Sequence, residues 1–77
     1  MQLANGVATK IQGGDYVYVV ESAGNTVSLD VSVGGSSDQE ITGFSFTADA
    51  NGVVTLPTGT ITATIGASTA IYLSGPR

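Results

Sequence analysis

Hydrophobic and polar residues alternate along several stretches of the chain with the period of a β-strand. In residues 26–33, three valines and a leucine alternate with Thr, Ser and Asp. In residues 60–65, isoleucines and an alanine alternate with threonines in the same way. This period puts one side of a strand on a core and the other toward water. Helical spacing is not sustained, because glycines interrupt every longer window.

Residues 15–22 are apolar on both sides of the predicted strand. Tyrosines and Val20 fall on one side, and Val17 and Val19 fall on the other. Such a strand is expected at the centre of a sheet whose outer face is also covered. We expect the cover to come from this chain or from a neighbouring one.

Further segments rich in Thr, Ile, Val, Tyr and Phe also predict strands, each bounded by turn residues. Six strands, or seven if residues 7–11 pair, follow one another at about ten-residue intervals. No connection is long enough for a crossover helix, so the strands are antiparallel. The predicted fold is an all-β, small antiparallel β-sandwich or barrel. The further segments are residues 40–47, 53–56, 60–65 and 69–74.

One predicted strand changes phase along its length. Ile41 is out of phase with Phe44 and Phe46, and Gly43 stands between them. A β-bulge at the glycine would bring all three apolar side chains to one face.

Turn chemistry divides the strands. Ala-Gly-Asn at 23–25 and Asp-Ala-Asn-Gly at 49–52 predict hairpins between neighbouring antiparallel strands. Leu-Pro-Thr-Gly-Thr at 56–60 and Gly-Ala-Ser at 66–68 predict tight turns. Only residues 33–38 form a long Gly/Ser loop, which predicts a crossover between sheets or a mobile docking loop.

Length and charge limit the number of domains and the kinds of partner that the chain can have. The 77 residues allow one domain, which we place at 13–77 behind an N-terminal arm at 1–12. Charged residues are 10% of the chain, against roughly 25% in an average domain. So few charges predict a surface that associates with a partner. The net charge of −4, with Lys10 and Arg77 far apart in the sequence, predicts no nucleic-acid binding.

Missing residue types argue against an enzyme. The chain has no His and no Cys, so imidazole acid–base catalysis, thiol nucleophiles and the usual zinc sites are excluded. Asp38 and Glu40 would share a strand face, but a carboxylate pair needs a cleft that so small a domain has little volume to form. We predict no catalytic residues, no cofactor and no metal site.

One segment resembles part of a calcium-binding loop. Residues 49–52 match a fragment of an EF-hand loop, but that loop would end at Thr58 without the bidentate glutamate. Calcium bound between subunits by Asp38, Glu40 or Asp49 remains a minor alternative.

The sequence shows no signal for membrane insertion. The longest run of apolar and tyrosine residues is 16–20, far below the roughly 20 residues of a membrane helix. The first residues lack a basic region followed by an apolar one. We expect a soluble chain made in the cytoplasm, with no membrane partner.

Four segments follow one another along the chain: Gly-Asp-Tyr-Val-Tyr-Val at 14–19, Gly-Asn-Thr-Val-Ser-Leu-Asp-Val-Ser at 24–32, Ala-Asn-Gly-Val-Val-Thr-Leu-Pro-Thr-Gly-Thr at 50–60 and Ala-Ser-Thr-Ala-Ile-Tyr-Leu at 67–73. In this order, over about residues 13–74, they resemble small β-sandwich virion structural proteins of tailed bacteriophages. The resemblance implies a capsid decoration or cement protein in the virion, made in the host cytoplasm and attached as a homo-oligomer, often a trimer. Its implied partner is the major capsid protein or another virion protein. A tail or head-fibre component is the neighbouring alternative.

Contacts with such partners are expected from segments that can become ordered on docking. The arm at 1–12 and the loop at 34–40 are the candidates, together with tyrosines that face a neighbour. The predicted interface residues are Leu3, Val7, Ile11, Tyr16, Tyr18, Asp38 and Tyr72.

A carbohydrate-binding or adhesion module is the alternative from another class. In that case an exposed Tyr16 or Tyr72 would stack on a glycan, and Thr and Asp side chains would bind its hydroxyls. A basic groove for nucleic-acid stacking is absent.

Overall fold

The structure, a computed structural model, describes residues 1–66 and 68–77. In this part of the chain there is no helix, and seven antiparallel strands form two sheets. One sheet has the order β1-β6-β3-β4 and the other the order β5-β2-β7. The predicted all-β sandwich is confirmed, and the sheets do not close into a barrel. The strands are β1 (Ala8–Ile11), β2 (Gly14–Glu21), β3 (Val27–Ser32), β4 (Gln39–Phe46), β5 (Ala50–Leu56), β6 (Gly59–Thr64) and β7 (Ala70–Ser74).

The connections differ from the predicted ones. The two predicted hairpins, at 23–25 and 49–52, are wrong, because β2 and β3 belong to different sheets, as do β4 and β5. Residues 33–38 were predicted as a crossover between sheets or a docking loop. They join β3 to its neighbour β4 within one sheet, so the crossover is wrong and the docking role stays a prediction. Part of the predicted turn at 66–68, Ala67, lies outside the described residues. Turn residues favour a chain reversal, but they do not specify which sheet the next strand joins.

The core lies between the two sheets. β3 and β6 each turn alternate residues inward, as their patterns predict, and β2 is the central strand of its sheet. Burying a large aliphatic side chain stabilises the fold by about 1.5–3 kcal/mol. The core residues are Leu3, Tyr16, Val20, Val27, Leu29, Phe44, Leu56, Ile61, Ala63, Ile71 and Leu73.

The predicted irregularity in the 40–47 strand is present. Between two paired positions, β3 advances from Ser28 to Asp30 while β4 runs from Ser45 to Glu40. The extra residues on β4 include Gly43, whose φ of 83° is in the left-handed region. Because their number is odd, the phase of the strand changes, and Ile41 packs against the same core as Phe44.

Three aromatic rings pack against one another where β4 lies over the β5-β2-β7 sheet. The Tyr18 ring lies 5.0 Å from that of Phe44 in an edge-to-face arrangement and 5.6 Å from that of Phe46 in a stacked one. The two phenylalanine rings are 5.1 Å apart. Such pairs contribute about 0.5–1.5 kcal/mol beyond their buried area.

The N-terminal residues, predicted to form an arm, lie within the sandwich. Met1 and Leu3 exchange backbone hydrogen bonds with β7, where the Leu3 amide donates to the Ile71 carbonyl at 3.0 Å. The chain then crosses to the other sheet, where the Gly6 amide donates to the Ala63 carbonyl at 2.9 Å. Leu3 is only 5% exposed. The segment therefore covers a sheet edge and supplies a core side chain.

Candidate interaction surface

The outward side of the β5-β2-β7 sheet is apolar at its centre. On β2, Val17 and Val19 alternate with the core-facing residues. Val17 lies directly opposite Val53 of β5, and Val19 lies directly opposite Tyr72 of β7. Directly opposed residues of antiparallel strands share a face. These four side chains, Val17, Val19, Val53 and Tyr72, form what we call the valine–tyrosine face.

Three of the four members of the valine–tyrosine face are exposed to solvent. Val53 is 57% exposed, Val19 is 43% exposed and Tyr72 is 37% exposed, while Val17 is half-buried. A contiguous apolar patch on a soluble domain marks an interaction site more often than scattered apolar residues do. The sequence predicted that the outer side of β2 would need a cover, and the described part of this chain leaves it exposed.

Polar groups border the valine–tyrosine face at both ends of β2. At one end, the Thr55 hydroxyl donates to the Asp15 carboxylate at 2.6 Å. At the other end, Glu21 is next to Tyr72. Hydrogen bonding to the Glu21 carboxylate, together with its negative charge, raises the pKa of the Tyr72 hydroxyl above its ordinary value. The neutral centre is therefore flanked by carboxylates.

The opposite side of the sandwich has a different chemistry. The outward positions of the β1-β6-β3-β4 sheet carry hydroxyls and charges in place of valines. On it Asp30 lies directly opposite Glu40. We call this surface the hydroxyl face; its members are Ser28, Asp30, Ser32, Glu40, Ser45, Thr60, Thr62, Thr64 and Lys10.

Three of the predicted interface residues serve the fold. Leu3 and Tyr16 are core residues, 5% and 3% exposed, and the Tyr16 hydroxyl donates to the Gln12 carbonyl at 2.6 Å. Tyr18 packs in the aromatic cluster with Phe44. Since Leu3 and Tyr16 are buried, their side chains are not available to a partner.

The other predicted interface residues lie apart from one another. Ile11, at the end of β1, is half-buried and packs against the core. Val7 is 54% exposed just before β1, and Asp38 is exposed on the β3–β4 loop. Only Tyr72 belongs to the valine–tyrosine face. The predicted set is thus not one surface.

The residues that prediction missed are Val17, Val19 and Val53. The signal for the first two was present, since β2 is apolar on both sides. Nothing in the sequence placed Val53 beside them, because that requires the register of β5 against β2.

The acidic residues do not assemble a metal site among the described positions. No group of three or more Asp or Glu side chains comes together there. The calcium-like fragment at 49–52 has structural roles: the Ser22 amide donates to the Asp49 carboxylate at 2.8 Å, and Ala50, Asn51 and Gly52 belong to β5. The described residues enclose no pocket.

Comparisons with protein families, with curated proteins and with solved structures found no match to this chain. Among the described residues, no helix has the length and apolar character needed to cross a membrane.

Proposed function

We propose that this protein is a bacteriophage virion structural protein, a capsid decoration or cement protein that docks on the shell through its valine–tyrosine face. The observation that carries the proposal is the exposed apolar centre of the β5-β2-β7 sheet, with Val19 and Val53 43% and 57% exposed. The order of sequence segments, which resembles such proteins, supplies the partner: the major capsid protein or another virion protein.

The composition supports a role based on contact. With 10% charged residues and no His or Cys, the chain offers surface for burial and few groups for chemistry, so we propose no enzymatic activity. A copy that binds only the assembled shell stabilises that shell by mass action, since each bound copy lowers the free energy of the assembled state. Many weak sites on a lattice add up through repetition.

The docking face differs from the one expected from the sequence. The N-terminal arm at 1–12 and the loop at 34–40 were expected to make the contacts, yet residues 1–3 are bonded to β7. The contacts are therefore assigned to a preformed sheet face, which loses little conformational entropy on binding.

Purified particles of the phage that encodes the chain test the proposal. We expect quantitative mass spectrometry to find the protein at a fixed ratio to the major capsid protein, and particles lacking it to lose integrity at a lower temperature. Electron microscopy of the particles would separate a shell location from a tail or head-fibre location. Absence of the protein from particles would refute the proposal.

One observation favours the carbohydrate-binding alternative. Tyr72 is a solvent-facing ring with the Glu21 carboxylate beside its hydroxyl, and an aromatic ring next to a hydrogen-bond acceptor can bind a sugar. The buried Tyr16 cannot serve in this role. Saturable glycan binding that is lost in Tyr72→Ala, in a protein absent from particles, would establish the alternative.

A further inference from the structure

The described part of the chain has four edge strands, and three of these edges are protected against pairing with another chain. The edge of β7 is occupied by Met1 and Leu3, which bond to its backbone. β1 has only four residues and carries Lys10. β4 carries Glu40 and is interrupted at Gly43. Short length, charge and bulges are the usual means by which edge strands avoid association.

β5 carries none of these protections. It runs for seven residues, Ala50–Leu56, with no charged residue and no proline inside it. Among residues 1–66 and 68–77, no strand pairs with β5 on the side away from β2. Its most exposed large side chain, Val53, is 57% exposed at the middle of this edge. An edge of this length and polarity is a template for another strand.

We infer that β5 pairs with β5 of a second copy, antiparallel and about a twofold axis at Val53. Full overlap of Ala50–Leu56 with itself places Val53 opposite the same residue of the second copy, and Asn51 opposite Thr55. The two sheets then continue as one six-stranded sheet of order β7-β2-β5-β5-β2-β7. The pairing is isologous, as is usual for homodimers.

Charge opposes a second copy least at this edge. The chain has a net charge of −4, so most ways of joining two copies bring like charges together. In the β5 pairing every opposed position from 50 to 56 is uncharged. Asp49, just before the strand, falls opposite Pro57. At the β4 edge Glu40 would be carried into the interface.

The pairing goes beyond the proposed function, because it follows from the strand edges and does not require a shell. It also joins the two valine–tyrosine faces, since Val53 lies at the border of each. Seven paired residues make a small interface, so we expect a concentration-dependent dimer of modest affinity.

Sedimentation of the native chain and single cysteines test the pairing. We expect the sedimentation coefficient to rise from monomer to dimer as the concentration increases. Because the chain has no cysteine, Val53→Cys introduces a unique thiol. Directly opposed residues of an antiparallel pair have Cα atoms about 4.5–5.5 Å apart, within the Cα range that a disulfide can bridge, so oxidised glutathione should convert Val53→Cys to a covalent dimer.

Two further single-cysteine variants serve as controls. One tests the register of the β5 pair, and the other tests whether the contact lies at the β5 edge. Asn51→Cys is on the same strand, but its own mate would be four residues away, about 13 Å along the pair, so it should not cross-link. Val19→Cys is on the same face but on the central strand, so it should not cross-link either. Monomers at all concentrations, a trimer, or faster cross-linking of Val19→Cys than of Val53→Cys would overturn the inference. Particle binding does not enter this test, so its failure is separate from failure of the proposed function.

Discussion

Gly52 lies on the core side of β5, directly opposite Tyr18. A Cβ atom built on this glycine would lie 3.0 Å from the Tyr18 hydroxyl oxygen and 3.2 Å from two ring carbons. Its φ of 159° is also in a region that side chains rarely adopt. The missing side chain therefore makes room for the ring that holds Phe44 and Phe46 together.

Gly52→Ala should destabilise the domain by about 2–3 kcal/mol, because it combines backbone strain with overpacking. Gly24→Ala is the matched control. Gly24 also has a positive φ, 88°, but nothing lies within 4 Å of its Cβ position. We expect a loss of about 1 kcal/mol there. Urea unfolding measures both, and equal losses would show that the Tyr18 ring places no constraint on position 52.

The pKa of Tyr72 measures its interaction with Glu21 at the border of the valine–tyrosine face. Because hydrogen bonding to Glu21 and its charge raise that pKa, Glu21→Gln should lower it toward the ordinary value for tyrosine. The phenolate form should then appear at a lower pH. Asp15→Asn, which removes a carboxylate at the far end of β2, should leave the pKa of Tyr72 unchanged. Ring-proton NMR measures the three tyrosines separately. If the pKa of Tyr72 is the same in Glu21→Gln as in the native chain, Glu21 does not interact with the Tyr72 hydroxyl as described.

At the scale of elements, the N-terminal segment joins the two sheets. Leu3 inserts into the core, the backbone around it pairs with β7, and the Asn5 side chain accepts a hydrogen bond from the Ile65 amide at 3.0 Å. A segment with these contacts contributes to stability as a strand does.

Leu3→Ala should lower the free energy of unfolding by about 2–4 kcal/mol, since it removes a buried side chain and leaves a cavity. Val7→Ala, in the same segment but 54% exposed, should change it by less than about 0.5 kcal/mol. Denaturant titration gives both values. If Leu3→Ala is as stable as Val7→Ala, the segment is an arm that adds nothing to the fold.

The strands could be predicted from the sequence, whereas their arrangement could not. Alternation in residues 26–33 and 60–65 reflects burial on one face, which is a local property. The predicted turn at 49–52 shows the limit: Asn-Gly has the chemistry of a hairpin, yet here it continues β5, where Gly52 leaves room for the Tyr18 ring opposite it. Sheet membership depends on contacts between residues distant in sequence.

Only part of the candidate surface could be predicted, because the rest of it depends on how distant strands pair. The second apolar side of β2 was visible along the chain, and Tyr72 was named as an interface residue. Val53 joins them only through strand register, and Leu3 and Tyr16 were misplaced because apolar residues of the core and of an interface look alike in sequence. Their burial separates the two.

At the scale of the whole molecule, the two outer faces are chemically unlike. The centre of one presents valines and a tyrosine between bordering carboxylates, and the other presents serines, threonines and charges. A monomer that worked alone in water would not be expected to leave the first face open. On the proposed function, the valine–tyrosine face is the side that meets a partner, and the hydroxyl face is the side that meets solvent.

Particle occupancy by two lysine variants tests this claim most directly. Val19→Lys places a charge at the centre of the valine–tyrosine face, and Thr62→Lys places the same charge on the central strand β6 of the hydroxyl face. Each variant, once shown to be folded, is added to particles lacking the protein, and bound copies are counted against the native chain. We predict that Val19→Lys binds at least about tenfold more weakly, a loss of about 1.4 kcal/mol, and that Thr62→Lys binds as the native chain does. Equal occupancy by the two variants, or a loss confined to Thr62→Lys, would contradict the account.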